Sequence, residues 1–353
     1  MSTDAPLHDC RKAYADTLVE IARADERLVV VANDSIGSSN LGGFREEFPT
    51  RLINVGIAEQ NQVGVAAGME NGGKIPVVSC AGSFLSARAT EQIKIDAAYS
   101  HRHILLCAQS PGLAYGALGS THHSAEDVAI MRSFPGMSVI VPADPAETAG
   151  AVRWAYSELD GPAYIRISRM KVPAVHGPDY VFSPRAAVLR EGGDLTVIAN
   201  GTAVHRALEA VERLARQGVG ARLLSMPVVK PLDEEAVLAA ARQTGRIITV
   251  EEGNTAGGLG GAVAELVSDR CPVPVKRLGV PDEWAPTGSE AWLMDHWGIS
   301  ADGVVAANGV DGLLAEAPGA EGSKAQTEDG EAQTEGGEAQ TEGGEAQTEG
   351  ARG

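Results

Sequence analysis

At 353 residues, with 44% hydrophobic and 22% charged residues, the chain has the size and composition of a folded protein of two ordinary domains. A formal net charge of −18 disfavours nucleic-acid binding through a basic surface. No apolar run reaches the roughly 18 residues that span a bilayer. The opening stretch "MSTDAPLHDCRKAYADTL" lacks a signal-peptide apolar centre, so a cytoplasmic location with no membrane contact is expected. Cys10, Cys80, Cys107 and Cys271 are scattered without a CxxC pair, which points to free, buried thiols rather than disulfides or a zinc site.

Tyr14, Leu18 and Ile21 recur at three- and four-residue spacings, which predicts an amphipathic helix from about residue 9. "RLVVVAND" (27–34), "KIPVVSCAGS" (74–83), "HILLCAQS" (103–110) and "MSVIVPAD" (137–144) are short apolar runs that end in polar or glycine-rich turns. Such runs, with helices between them, predict a mostly parallel α/β sheet buried on both faces. Ligands gather where the carboxyl ends of such strands open into loops. Here those loops are residues 33–40, 82–84, 109–123 and the neighbourhood of Arg169.

After the Pro- and Gly-rich "VPAVHGPDYVFSP", a second α/β pattern begins: "DLTVIANG", a helix from 203 to 218, "ARLLSM", a helix from 233 to 245, and "RIITVEE". The expected domains are therefore 1–183 and 184–315, each a mostly parallel sheet flanked by helices. Residues 316–353 hold a seven-residue repeat, "KAQTEDG", "EAQTEGG", "EAQTEGG", "EAQTEGA", with no apolar a and d positions. From Gly319 onward nine acids face two bases, so a disordered acidic tail is expected, and deleting it should leave activity unchanged.

Glu59 is the one acid in the run "NVGIAEQNQVGVAAG" (54–68). On a helix, Val55, Ala58, Gln62, Val63, Ala66 and Ala67 would pack closely. A carboxylate among them must be hydrogen-bonded, paired or protonated, and a satisfied structural acid fits the composition as well as a functional one.

The order of "NVGIAEQNQVGVAAGM", "PVVSCAGSF", "GSTHHSAEDVAIMRSFPGMSVIVPAD", "DGPAYIRISR", "MPVVKPLDEEAV", "VEE" and "GGLGGAVAEL" resembles the transketolase family over roughly residues 10 to 315. The resemblance implies a pyrimidine-binding domain followed by the family's C-terminal domain, with thiamine diphosphate as cofactor. It implies that Glu59 contacts the N1′ nitrogen of the cofactor's aminopyrimidine as an acid/base. A carboxyl that must donate to a ring nitrogen needs a dry pocket that raises its proton affinity.

Other roles carry over on the same resemblance. Phe84 matches the aromatic that stacks on the pyrimidine, and Ile57 is a further cofactor contact in the Glu59 motif. His122 of "GSTHHS" matches the histidine near the substrate's hydroxyls and carbonyl, with roles in catalysis and substrate binding, while His123 has no assigned part. Arg169, at the end of "YIRISR", matches an arginine for the substrate phosphate, which a guanidinium fork suits; Arg166 reads as a salt-bridge residue. Asp34, Ser38 and Ser39 lie in a loop the family uses near cofactor and sugar phosphate, although a turn with capping serines would look the same. Arg88 could face a sugar or a neighbouring subunit.

The departures are informative. The "GDG" with a downstream Asn that holds Mg²⁺ and the diphosphate in the family is missing; "EGGDL" at 191–195 lacks the third position. The resemblance then implies a split enzyme, in which a separate subunit supplies the diphosphate and metal site, as in an α2β2 heterotetramer. Leu118 stands where the family's "DGxTH" carries Asp, Ala108 and Gln109 replace a common substrate-loop motif, and Gly253 and Asn254 follow "VEE" where many relatives have His. These changes bear on the substrate. Two other readings stay open: a 2-oxo acid dehydrogenase-like or carrier-directed two-carbon transferase subunit, and a non-catalytic regulatory partner of a transketolase.

Overall fold

The apolar runs become strands with both faces buried, which is where Val, Ile and Leu without polar alternation are stable. The computed structural model describes residues 6–177 and 179–309. In chain order the strands are β1 (Leu7–Asp9), β2 (Leu28–Ala32), β3 (Leu52–Asn54), β4 (Ile75–Ala81), β5 (Leu105–Gln109), β6 (Ser138–Ile140), β7 (Ala163–Ile167), β8 (Lys171–Pro173), β9 (Ala187–Arg190), β10 (Leu195–Ala199), β11 (Ala221–Ser225), β12 (Val228–Lys230), β13 (Ile247–Asn254) and β14 (Val275–Val280). β2, β4, β5 and β7 are buried along their whole lengths.

The architecture is α/β. A seven-stranded sheet in the order β12-β6-β7-β5-β4-β2-β3 is parallel except at β12. A five-stranded sheet in the order β14-β13-β10-β11-β9 is parallel except at β9. β1 and β8 form a small antiparallel ribbon. The acidic repeat, its expected disorder and the boundary at 315 lie outside the described residues.

The predicted N-terminal helix runs Cys10–Ala24, with the Asp9 side chain accepting from the Arg11 amide as its cap. Its buried Tyr14 and Leu18 join Val152 and Ala155 of the helix Pro145–Ser157 in one core over the first sheet. The second half was expected to build its own sheet and does so, but it also supplies β12 to the edge of the first. One apolar core then holds Val31 and Val78 of the first sheet with Ile198, Leu224 and Val263 of the second half. Among the described residues, no helix is long and apolar enough to cross a membrane.

One local expectation changes. The helix expected across 54–68 starts only at Glu59 and runs Glu59–Asn71, so Val55 and Ala58 lie in the approach loop. Gly56, with φ +74°, turns the chain there in a conformation that side chains other than glycine rarely adopt. After β4 the chain enters a wide π turn, Phe84–Arg88, a geometry that tends to occur at functional sites.

Candidate active site

The carboxyl edge of the seven-stranded sheet gathers most of the residues singled out above. Asn33 follows β2, Ser83 and Phe84 follow β4, Ser110 follows β5, and Arg169 lies two residues past β7. Glu59 opens its helix, where the unpaired amides of the first turn favour a negative charge.

Glu59 is 1% exposed. Its Oε1 accepts from Asn33 Nδ2 at 3.2 Å, and its Oε2 accepts from Arg88 Nη1 at 2.7 Å. The Cys80 thiol lies 3.9 Å from Oε1, and burial pushes that thiol up, so it stays protonated and donates. Burial alone pushes the Glu59 carboxyl up. Arg88, the Glu59 backbone and Asn33 together outweigh it and hold the carboxyl below its usual value. This differs from the expectation of raised proton affinity, and the reason is Arg88, whose contact is tertiary.

The same guanidinium lies over the Phe84 ring, 4.7 Å from its centroid. Phe84 meets His122 edge to face at 5.2 Å, and His122 meets Tyr115 at 5.9 Å. Arg169 in turn lies over the Tyr115 ring at 5.0 Å. Glu59, Arg88, Phe84, His122, Tyr115 and Arg169 therefore form one continuous chain of contacts. Arg88 reaches the carboxylate through Nη1 while its side chain remains 47% exposed.

Arg169 lines a cleft of about 410 Å³ with Tyr115, Leu118, Ser289 and Glu290. Glu290, from the second half, is pushed up by burial, while Arg169 and Arg11 nearby pull it down. Arg11 is bonded to Asp9 through Nε at 3.0 Å and Nη2 at 2.6 Å, and its Nη1 donates to the Ser38 carbonyl at 2.8 Å. That contact ties the 33–40 loop to Arg11, whose charge acts on Glu290 of the cleft. Asp34 is exposed, Ser38 donates to the Ser35 carbonyl at 3.0 Å, Ser39 is fully buried, and Ile57 is 73% exposed. None of these four joins the contact chain around Glu59.

Sequence reasoning reached Asn33 and Tyr115 only as members of the strand-end loops and missed Arg11 and Glu290. Arg11 carried a faint signal, since an arginine one residue inside a helix start is free to reach a neighbouring loop. His123 is 5% exposed and lines a different pocket, with Ala125, Asn254 and Trp284. Arg166 is the expected salt-bridge residue: its guanidinium pairs with Asp127, and both are buried.

Residues 8–175 match the family model of the transketolase pyrimidine-binding domain, and residues 185–304 match that of the transketolase C-terminal domain. The chain is 43% identical over 297 residues to a subunit of apulose-4-phosphate transketolase from Phocaeicola vulgatus, covering 84% of this chain and 95% of that one. The chain belongs to the transketolase family. Within the family it is also 40% identical over 304 residues to the 6-deoxy-6-sulfo-D-fructose transketolase subunit SqwH from a Clostridium species, covering 85% of this chain and 93% of that one. A solved split-gene transketolase, described as an inactive beta4 tetramer, superposes with a TM-score of 0.78 at 40% identity, covering 87% of this chain and 98% of that chain. Both of the sequence relatives are subunits of their enzymes.

Proposed function

We propose that this protein is the pyrimidine-binding subunit of a two-component, thiamine-diphosphate-dependent transketolase that moves a two-carbon ketol unit from an anionic ketose to an aldehyde. The observation that carries the reading is Glu59, a carboxyl 1% exposed at the carboxyl edge of a parallel sheet with the half-buried Phe84 ring close by. A buried acid beside an aromatic face fits the aminopyrimidine end of the cofactor, offering one hydrogen-bonding group and one stacking surface.

When bound, the cofactor supplies the carbon nucleophile and electron store that no side chain offers. Glu59 holds or releases the proton at the ring nitrogen, and Asn33 fixes its Oε1. Phe84 supplies the stacking face, with Ile57 and Asp34 as flanking contacts. His122, between Phe84 and Tyr115, holds and moves a proton at the substrate's hydroxyl or carbonyl oxygen. Arg169, with Arg11 behind it, binds the anionic end of the sugar, and Ser38 and Ser39 shape the loop beside it.

The relatives' names support an anionic substrate, because one carries a phosphate and the other a sulfonate. Leu118 places an apolar side chain, 53% exposed, in the Arg169 cleft, so a hydroxyl-poor segment of the substrate is the better match there.

Among the described residues, no group of three or more His, Cys, Asp or Glu could hold a metal ion, and no GDG motif occurs. The reading therefore gives Mg²⁺ and the diphosphate to a separate N-terminal-type subunit carrying GDG, assembled as α2β2, in the cytoplasm. The test is Glu59→Gln in the assembled enzyme with thiamine diphosphate and Mg²⁺. Turnover should fall by about 100-fold or more while the melting temperature of the subunit holds. Full turnover in the variant would overturn the assignment.

A further inference from the structure

Two groups in the candidate site compete for the same work. Glu59 is proposed to serve a ring nitrogen, yet its Oε2 is already filled by Arg88 Nη1 at 2.7 Å. Phe84 is proposed to serve as a stacking face, yet the Arg88 guanidinium lies over it at 4.7 Å. One planar, hydrogen-bonding group thus satisfies both the carboxylate and the aromatic ring, the two features an aminopyrimidine would use.

We propose that Arg88 is a latch that stands in for the aminopyrimidine between Glu59 and Phe84 and must swing out before the cofactor ring can enter. This rests on the reading of Glu59 and Phe84 given above and adds a function for a residue that reading does not use.

The geometry favours movement of Arg88 over movement of its partners. Its side chain is 47% exposed while that of Glu59 is 1% exposed, so water can take the guanidinium but not the carboxylate. Arg88 also ends the wide π turn Phe84–Arg88, so its side chain is tethered at the lip of the site and not in the core. The charged and titratable groups against Glu59 are Arg88 and Cys80, with Asn33 as the neutral partner. Of these, Arg88 alone brings a positive charge. While it is latched, Glu59 is held as a carboxylate, the wrong form for donating a proton. Once it leaves, its pull on the carboxyl is gone and the carboxyl gains proton affinity. Release of the latch therefore opens the stacking face and arms the acid in one motion. It also spares an uncombined subunit from carrying an unpaired buried carboxylate.

The test uses the full chain alone, with thiamine, which has the aminopyrimidine but no diphosphate, as the probe. Binding is measured calorimetrically for the wild type, Arg88→Met, Arg88→Lys and the double variant Glu59→Leu/Arg88→Met. Arg88→Met should bind thiamine at least about fivefold more tightly than the wild type, with Arg88→Lys between them. Binding no tighter in Arg88→Met, including none in either protein, overturns the latch. If the double variant Glu59→Leu/Arg88→Met keeps the gain, Glu59 does not read the ring and the functional assignment fails instead. Independently, the Glu59 carboxyl is titrated by isotope-edited infrared spectroscopy. Its midpoint should rise in Arg88→Met relative to the wild type, and an unchanged midpoint overturns the proposal.

Discussion

Glu59 and Arg169 are the same kind of problem solved with opposite signs. At Glu59 a carboxyl is buried and one guanidinium offsets the loss of water; at Arg169 the guanidinium is only partly covered and lies over a neutral ring, so its donors remain available to a ligand. On the proposed function, replacing Arg169 by Ala should raise KM for an anionic ketose at least about tenfold, with a much smaller change in kcat, because it would remove binding common to ground and transition states. Steady-state kinetics of the assembled enzyme on charged and uncharged ketoses would check this, and equal loss on both kinds of substrate would contradict it. The sequence made both residues visible, Glu59 as a lone acid among small residues and Arg169 as a strand-end cation. Asn33 was visible only as the first residue of a strand-end loop, and Arg11 and Glu290 were not visible, because nothing in the run around either one differs from an ordinary helix start.

At the scale of elements, the second half holds the loops of the first. Glu252, at the end of β13, accepts from the Leu113 amide at 2.7 Å and also bonds the Thr202 hydroxyl. Leu113 begins the loop that carries Tyr115 and His122. Gly112 has φ +64°, and a Cβ there would lie 2.3 Å from Glu252 Oε1, so this close approach is open to glycine alone. One residue earlier, Glu251 is buried and caps the helix Leu259–Arg270, accepting from the Leu259 amide at 2.7 Å and the Gly260 amide at 2.8 Å. Burial pushes its carboxyl up to about 6, against those two amides, which pull it down.

The folded state therefore binds more protons at Glu251 than the unfolded chain does between its usual carboxylate value and about pH 6. The protonated form is the favoured one, so this site loses stability as pH rises through that window, by about 2 kcal/mol for a shift of this size. Glu251→Gln should remove the loss. The stability of the wild type relative to the variant, from urea unfolding, should fall by about that amount between pH 4.5 and 7. A difference that is flat or rises with pH would contradict this. The "VEE" run was readable as a strand end, but two adjacent glutamates look like a solvated edge until folding buries them, Glu252 against the Leu113 loop of the first half.

At the largest scale, Arg166 links the two described halves. Its guanidinium pairs with Asp127, donates to the Ser124 carbonyl at 3.0 Å just past His122 and His123, and donates to the Glu252 carbonyl of the second half. Asp127 is fully buried and also accepts from the Tyr164 hydroxyl at 2.6 Å. Arg166→Met leaves that carboxylate without its cation, which should cost about 3 to 5 kcal/mol. The loss would read as a fall in urea midpoint of the full chain, and a change below about 1 kcal/mol would show that Tyr164 and the backbone suffice.

By itself, the sequence determined the buried strands, the loop-bearing carboxyl edge of the first sheet and the lone acid Glu59 among small residues, because apolar runs, turn residues and the spacing of one motif are local properties. The tertiary structure decided which groups confront each other. Arg88 reaches Glu59 from 29 positions away, Arg11 reaches Ser38 from 27, and Glu252 reaches Leu113 from 139. It also sent β12 to the edge of the other half's sheet. Charge state and loop position depend on such distant neighbours, since a buried carboxyl takes its proton affinity from what folding brings within hydrogen-bond reach.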